Sequence, residues 1–408
     1  MYRSLLIRFI AIIIATCLLI FIEYKFEVID YLRFVNSAKS VEGFSIAYSS
    51  DGQMIAVAGN FTPYKTRENK KSSKKVQIEI RRVEDNSVIT SIDSSTTGNL
   101  TFSPDNSMIA AGSYDGKVYV WRVSDGKLLH SFSHEMDVRS SRMRFLSFTQ
   151  DGQNIVTFIS GVVSLSPNRI SVWNLSSGTN RTYFKEFISA DLSPDGEILA
   201  LGNKDNRTID LYQLNDVSLV KQVEVNRKPF SPLKFSSNGK KIAFVGLSPP
   251  APPKDRYGYN IYLHSVEDGS LSNIFYYSTF FPGGEESLEE FAISPNGRYL
   301  AASYRRSVPS SFFVGAPRWS DARYYGRIRV WRIEDGKQLA TFRGHKRRTT
   351  SIVFSPDSKF LTSTGWDGKV RFWKMPPRNY SWLWLFCTAE LAAIAYWQRA
   401  RLISWIIR

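Results

Sequence analysis

A short polar phrase recurs seven times along the chain, and each copy separates two runs of alternating apolar and polar residues. The phrase is an apolar residue, two small or polar residues, Asp or Asn, and usually Gly. The copies are YSSDG (48–52), FSPDN (102–106), FTQDG (148–152), LSPDG (192–196), FSSNG (235–239), ISPNG (293–297) and FSPDS (354–358). Asp, Asn and Gly readily adopt the backbone angles of tight turns. Each phrase therefore predicts a hairpin turn between two strands.

A second phrase lies downstream in every unit and alternates with period two, as half-buried strands do. Its copies are VQIEIRRV (76–83), VYVWRV (118–123), ISVWNL (170–175), IDLYQL (209–214), IYLHSV (261–266), IRVWRI (328–333) and VRFWKM (370–375). Most copies precede another turn, such as SDGK (124–127), and then a short strand, such as LLHSF (128–132). The repeating unit is thus four short strands, and the fold class is all-β.

The N-terminal segment is apolar enough to form a membrane anchor. Residues 9–22 read FIAIIIATCLLIFI, and Leu5 to Ile7 extend the apolar stretch beyond Arg8. A hydrocarbon core of about 30 Å needs close to this length at 1.5 Å per residue. A cleaved signal peptide is the alternative, but no A-x-A-like site follows Ile22. The pattern favours an uncleaved transmembrane helix.

The C-terminal segment is also hydrophobic. Residues 382–397 read WLWLFCTAELAAIAYW, and Arg399, Arg401 and Arg408 follow them. Trp and Tyr at both edges are typical of membrane interfaces. The pattern fits a short second span, a helix lying in the interface, or a helix docked on the rest of the chain, and the sequence leaves these three open.

Charge changes the picture of the partners. Lys and Arg number 53 against 37 Asp and Glu, which gives a net charge of +16. Such an excess favours an anionic partner, namely nucleic acid, lipid headgroups or an acidic protein. Basic flanks of membrane segments are the alternative explanation. The two cysteines and four scattered histidines predict neither a disulfide framework nor a metal site.

Residues 343–375 resemble a nearly complete WD repeat. They carry Gly344-His345 before a strand, Trp366-Asp367-Gly368 in a turn, and Trp373 six residues after Asp367. The resemblance to the WD-repeat (WD40) family implies a seven-bladed β-propeller. It also implies a buried hydrogen-bonded set, which consists of His345, Ser363 or Thr362, Asp367 and Trp373.

The other units keep less of this pattern. The second unit has Asp115 and Trp121 at the same spacing of six. Trp173 and Trp331 lack the Asp, and the other units carry Ile80, Tyr212 and His264 at the Trp position.

The expected organisation is a membrane anchor (1–26), a propeller (27–376) and a C-terminal hydrophobic or transmembrane helix with a basic tail (377–408). The seventh unit ends after its third strand, and an unpaired edge is unfavourable. In the family that the chain resembles, the N-terminus usually supplies the missing strand. We therefore assign DYLRFV (30–35) as the outermost strand of the last blade.

Propeller geometry places the long connections on one face, opposite the point where both hydrophobic segments leave. These connections are 60–75, 133–142, 160–169, 246–260, 276–289, 304–327 and 343–350. Basic and aromatic side chains are interleaved there, as in surfaces that bind acidic proteins, phosphates or nucleic acid. The predicted interaction face comprises Lys70, Lys71, Lys74, Arg305, Arg306, Phe312, Phe313, Trp319, Tyr324, Arg347 and Arg348.

No catalytic motif is present: the sequence has no GxxxxGK[ST] loop, no GxSxG elbow and no dinucleotide loop. We expect a non-enzymatic, cofactor-free, membrane-tethered propeller that serves as a protein-interaction scaffold or complex subunit. The alternative is a propeller that binds a small ligand, an ion or an acidic polymer at its central channel or basic loops. Arg3 and Arg8 before the first span favour a propeller on the non-cytoplasmic side, with the cytoplasmic face as the alternative. Nucleic acid is not an expected partner, because a membrane-tethered protein rarely meets DNA.

Overall fold

The computed structural model describes residues 42–60, 76–94, 98–113, 116–134, 141–161, 168–184, 187–203, 206–247, 259–276, 280–281, 284–308 and 323–375. Within these ranges all regular structure is β, and the strands form seven antiparallel sheets. We refer to the sheets as the first to seventh blades in chain order.

Each of the first four blades has four strands. The first contains β1 (Glu42–Tyr48), β2 (Met54–Asn60), β3 (Val76–Arg82) and β4 (Val88–Ser94). The second contains β5 (Leu100–Phe102), β6 (Met108–Gly112), β7 (Lys117–Arg122) and β8 (Leu128–Ser133). The third contains β9 (Ser141–Phe148), β10 (Asn154–Gly161), β11 (Arg169–Asn174) and β12 (Asn180–Phe184). The fourth contains β13 (Phe187–Leu192), β14 (Ile198–Asn203), β15 (Thr208–Gln213) and β16 (Leu219–Glu224).

The last three blades differ in strand number. The fifth contains β17 (Phe230–Phe235), β18 (Lys241–Leu247), β19 (Tyr259–Ser265) and β20 (Leu271–Phe275). The sixth has five strands, β21 (Phe280–Phe281), β22 (Gly284–Ile293), β23 (Tyr299–Val308), β24 (Arg323–Arg332) and β25 (Gln338–Arg343). The seventh, within the described residues, has β26 (Thr349–Phe354), β27 (Phe360–Gly365) and β28 (Lys369–Lys374).

The blades close into a ring around a central channel. The innermost strands β1, β5, β9, β13, β17, β22 and β26 contact one another in this order, and β26 contacts β1. Because strands within a blade are antiparallel, the first-to-second and third-to-fourth turns share one face, which we name the lower face. Connections between second and third strands, and between blades, lie on the upper face. The molecule is therefore a seven-bladed propeller.

One hydrogen-bonded turn is repeated on the lower face of all seven blades. In the first blade the buried Ser49 hydroxyl donates to Asp51 Oδ1 (2.6 Å) and accepts the N–H of Met54 (2.8 Å). The same pair of bonds is made by Ser103, Thr149, Ser193, Ser236, Ser294 and Ser355. The residue after the Asp or Asn has a positive φ, and it is Gly in five blades. The recurrent Ser or Thr is thus required because it satisfies backbone groups of the turn.

The core consists of seven apolar seams between neighbouring blades instead of one central cluster. Tryptophans on third strands fill three of these seams by packing on the outermost strand of the preceding blade. Trp173 stacks on Phe132 with 5.0 Å between ring centroids, and Trp373 stacks on Phe342 at 4.7 Å. Trp331 is tilted against Phe275 at 6.0 Å. These contacts explain why apolar residues recur on both strands.

Charged side chains of innermost strands also join neighbouring blades. Asp191 accepts the N–H of Phe235 (2.7 Å), and Glu290 accepts that of Ile352 (3.3 Å). Lys234 Nζ lies 3.9 Å from Asp191 Oδ1. Burial raises the pKa of both carboxyl groups, that of Glu290 to about 7. The hydrogen bonds of Asp191 and Glu290 thus link innermost strands of neighbouring blades.

Two connections that the sequence predicted as loops are partly strands. The predicted 304–327 loop is shortened at both ends, because β23 runs to Val308 and pairs with β24 as far as Arg323. The predicted 276–289 loop contains β21 and the first half of β22. Ten-residue strands make the sixth blade taller than its neighbours and extend it on the upper face.

The terminal segments lie outside the described residues. These are the predicted anchor, the predicted closing strand 30–35 and the C-terminal hydrophobic segment. Within the part of the chain that the structure describes, no helix is long and apolar enough to cross a membrane. The predicted domain boundaries remain predictions.

Candidate interaction surface

His345 is the centre of a buried hydrogen-bonded network in the seventh blade. Its Nδ1 lies 2.8 Å from Asp367 Oδ1, and its Nε2 lies 2.8 Å from Ser363 Oγ. Trp373 Nε1 donates to the same Ser363 oxygen (2.9 Å). A single tautomer satisfies this chain: the indole donates to Ser363, Ser363 donates to Nε2, and Nδ1–H donates to Asp367. The structure thus joins all four residues that the resemblance implied, with Ser363 instead of Thr362 as the hydroxyl.

A buried cation completes the network. Arg371 forms an ion pair with Asp367 (Nη1 to Oδ2, 3.0 Å), and its side chain is only 7% exposed. Burial raises the pKa of Asp367, but the hydrogen bond from His345, with help from the Lys346 N–H and Arg371, outweighs burial and lowers the pKa to about 2. Burial lowers the pKa of His345, and the Arg371 charge adds to this effect. His345 is therefore neutral and Asp367 is charged at physiological pH.

The network fixes the connection 343–348 on the upper face. The Lys346 N–H donates to Asp367 Oδ2 (3.0 Å), and the Trp366 N–H donates to the Arg348 carbonyl (2.9 Å). The Arg347 carbonyl accepts the N–H of Gly326 in β24 (2.9 Å). A side chain at Gly326 would collide with that carbonyl, since a Cβ there would lie 2.7 Å from it. The connection is thus attached to both the sixth and the seventh blade.

Basic side chains converge where these two blades meet. Glu289, which is nearly buried, forms ion pairs with Arg305 (Nε to Oε1, 3.4 Å) and with Arg348. The Arg348 guanidinium lies 5.7 Å from the centre of the Trp366 ring, and Trp366 is 49% exposed. Lys346 and Arg347 are exposed beside them. We name Arg305, Lys346, Arg347, Arg348 and Trp366 the basic seam.

Three residues of the predicted interaction face, Arg305, Arg347 and Arg348, belong to this seam. Arg306 and Tyr324 lie in strands rather than in a loop: Arg306 pairs with Tyr325, and Tyr324 pairs with Ser307. The other predicted residues of the face lie outside the described residues; they are Lys70, Lys71, Lys74, Phe312, Phe313 and Trp319. Asp115, which was predicted as part of the hydrogen-bonded set, also lies outside them. Trp121 is buried and stacks on Tyr119 at 5.7 Å.

A second histidine-centred network, which was not predicted from the sequence, lies in the third blade. His134 Nε2 lies 3.2 Å from Thr157 Oγ1, which accepts the indole N–H of Trp173 (3.3 Å). Burial, with the nearby Arg169 charge as the smaller cause, lowers the pKa of His134 to about 4. The signal was the triplet of His, Thr and Trp in successive elements, but insertions separate its members more widely than in the seventh blade.

Trp366, Lys346 and Glu289 are further residues of the surface that the sequence analysis did not assign to it. From the sequence, Trp366 was assigned only to the turn motif. An exposed aromatic residue beside a basic run is nevertheless a signal of binding. No group of three or more His, Cys, Asp or Glu side chains within the described residues is arranged for a metal ion. The surface is thus suited to binding through charge and aromatic contact.

Comparison with known proteins agrees with this fold. Residues 80–122 and 336–374 match the family model "WD domain, G-beta repeat". The chain contains WD40 repeats. Periodic tryptophan protein 2 of Arabidopsis thaliana is 26% identical over 280 residues, which is 67% of this chain and 21% of that protein. Protein LST8 homolog of Drosophila melanogaster is 31% identical over 100 residues, 23% of this chain and 26% of that protein.

Among solved structures, the Cps50 (Swd1) β-propeller domain of Myceliophteria thermophila is similar with a TM-score of 0.59 and 11% identity. The match covers 82% of this chain and 97% of that one. The WD40 repeats and the seven-bladed propeller predicted from the sequence are confirmed. The matches to the two curated relatives span only about a fifth to a quarter of those proteins' length.

Proposed function

We propose that this WD-repeat propeller is a membrane-tethered scaffold or complex subunit, and that it binds an acidic protein partner through the basic seam. The observation that supports this proposal most directly is the attachment of connection 343–348 to two blades. Its side chains Lys346 and Arg347 point to solvent from a backbone that is already fixed. A surface that is ordered before binding loses little conformational entropy when the partner arrives.

Charge supports the choice of an acidic partner. The seam contains four cationic side chains, and the nearly buried carboxylate of Glu289 is already paired with two of them, Arg305 and Arg348. Asp367 is engaged with His345 and Arg371 below the surface. The seam therefore carries an excess of positive charge, which attracts and orients an anionic partner. Trp366 supplies the kind of exposed aromatic anchor that protein interfaces favour. WD40 propellers generally bind protein partners, some of them in complexes.

Reversing one charge of the seam should weaken binding of an acidic probe. We expect Arg347→Glu in the full-length chain to weaken binding of a fluorescent polyglutamate peptide roughly tenfold, because a favourable charge contact becomes a repulsion. Fluorescence anisotropy measures the affinity, and binding to the unmodified chain should weaken as salt screens the charges.

Lys240→Glu is the matched control. It makes the same change of charge on an exposed residue of a lower-face turn in the fifth blade. It should leave the affinity within about twofold. Equal losses for both variants would show that only the net charge matters, and the seam would then not be the binding surface.

Membrane tethering rests on the apolar stretch 9–22 and its preceding arginines, Arg3 and Arg8. We propose that the N-terminus is cytoplasmic and the propeller lies on the other side of the membrane. Protease added to intact cells or spheroplasts should then digest the propeller and leave an N-terminal tag protected. A protected propeller together with a digested tag would reverse the orientation, and recovery of the chain without membranes would contradict the tether.

A further inference from the structure

A groove of about 990 Å³ runs between the first and second blades on the lower face, away from the basic seam. Its walls are the turns that join the strands of these two blades, including residues 51–54, 82–84, 106–108 and 122–124. Its floor is apolar: Met54, Ile89, Met108 and Leu129 line it. Val88 and Leu128, the first residues of β4 and β8, lie at the same edge of the two blades, and each is 48% exposed.

Hydrogen bonds between the two blades hold the groove open. The Ser50 N–H donates to Asn106 Oδ1 (2.8 Å), and the Ser50 hydroxyl donates to the Pro104 carbonyl (2.9 Å). The Thr90 hydroxyl donates to the Val123 carbonyl (2.7 Å). The spacing of the walls is therefore set before any ligand binds, as in most small binding sites.

A contact of the same kind as that of Thr90 joins the third and fourth blades. Arg181 pairs with Val172 of β11, as Thr90 pairs with Ile80 of β3. Arg181 Nη1 crosses to the next blade and donates to the Asn215 carbonyl (2.7 Å). Thr90 makes the corresponding contact in the first blade, and Ile89, in the β-bulge beside Thr90, lines the groove.

The rim of the groove is acidic. Asp51 and Glu84 line it, and Asp105 lies in the turn that forms one wall. Arg82 also lines the groove, and its charge is opposed by that of Asp85 in the same turn. Arg122 is paired with Asp125 (2.9 Å), so its charge is largely compensated. Hydrogen bonds from Ser103 and Ser107 lower the pKa of Asp105, which keeps its carboxylate charged at neutral pH.

We propose that this groove binds a peptide segment of a protein partner in which apolar residues are combined with basic ones. The two methionines of the floor adapt to apolar side chains of varied shape. The acidic rim complements Lys or Arg of the peptide. The propeller then has two recognition faces of opposite preference, an upper face for an acidic partner and a lower groove for an apolar, basic one.

Two peptides of equal length test the chemistry. One combines leucines with lysines, and the other carries glutamates in place of the lysines. The full-length chain is held in phosphatidylcholine nanodiscs, and empty nanodiscs correct for binding to lipid. We expect the lysine peptide to bind at least fivefold more tightly than the glutamate peptide by fluorescence anisotropy. Equal affinities, or no binding of the lysine peptide above the empty nanodiscs, would overturn the proposal.

Methionine methyl signals locate the bound peptide. The chain has six methionines, and Met54 and Met108 line the groove. In spectra of the chain labelled with ¹³C-methyl methionine, the lysine peptide should shift these two signals. Met143 and Met375, which pack in other seams, should not move. Shifts confined to the other methionines would place the peptide elsewhere and contradict the proposal.

Two variants with matched controls close the test. Ile89→Arg places a long cationic side chain in the groove and should lower the peptide affinity at least fivefold. Val220→Arg, at the same strand position of the fourth blade, should leave it unchanged.

Glu84→Lys should weaken binding, whereas Glu334→Lys in the corresponding turn of the sixth blade should not. Equal effects of a variant and its control would contradict the assignment. Because Arg347→Glu lies on the opposite face, it should not alter this binding, which separates the groove from the basic seam.

Discussion

Replacing Asp367 by Ala should lower the free energy of unfolding by about 3–5 kcal/mol, because it breaks a buried ion pair from one side. Asp367 accepts hydrogen bonds from His345 and the Lys346 N–H, and it neutralises the buried Arg371. Without the carboxylate, the Arg371 charge has no counter-ion at this point. The unpaired polar groups add their own desolvation cost. Urea unfolding of the detergent-solubilised chain, followed by tryptophan fluorescence, measures the loss.

A second substitution separates the two causes of this loss. In the double variant Asp367→Ala, Arg371→Met the buried cation is gone, so part of the stability should return. Asp125→Ala is the control, since Asp125 forms an exposed ion pair whose loss should leave the free energy of unfolding almost unchanged. A loss for Asp367→Ala as small as that of the control would mean that the network does not carry the stability of the seventh blade.

The same variant connects stability with binding. Asp367 fixes the backbone of Lys346, and thereby the connection that presents Arg347 and Arg348. Loss of this contact should weaken binding of the polyglutamate peptide even in molecules that remain folded. The network therefore positions the basic seam, and the charged residues themselves make the contacts.

The parts of the fold that were predicted from the sequence depend on contacts between residues close in the chain. Each lower-face turn is made by a Ser or Thr and an Asp or Asn two residues later, so a five-residue phrase contains all its partners. The network around His345 falls within one repeat, between residues 345 and 373, and its spacing was therefore recognisable. Alternation was informative in third strands such as β7, where buried residues alternate with partly exposed ones, whereas second strands such as β6 are buried almost throughout.

The parts that were missed depend on pairing across longer distances. The extended β23–β24 hairpin was not predicted, because Arg305, Arg306 and Tyr324 carry polar side chains typical of a loop, while the pairing of their backbones is not visible in the pattern. Arg371 occupies a strand position where a charged residue suggests exposure, yet its pairing with Asp367 allows burial. The groove is lined by residues from separate turns of two blades, and no single motif records it.

The network around His134 should make stability depend on pH in a range where most surface carboxylates do not titrate. The folded chain holds the pKa of His134 at about 4, chiefly through burial and to a smaller extent through Arg169. In the unfolded chain the pKa of histidine is about 6.5. Between these values the unfolded chain binds a proton that the folded chain does not. The contribution is therefore fully present above about pH 6.5 and is lost as the pH falls towards 4.

The expected loss is about 3 kcal/mol over this interval, since each unit of pKa difference corresponds to about 1.4 kcal/mol. Measuring the free energy of unfolding at pH 7.5 and pH 4.5 separates this contribution from general acid denaturation when variants are compared. His134→Gln keeps a polar group near Thr157 but cannot titrate, so its stability should fall by less than that of the unmodified chain. His130→Gln, four residues earlier, should behave like the unmodified chain. If His134→Gln loses as much stability as the unmodified chain, the buried histidine is protonated in the folded state.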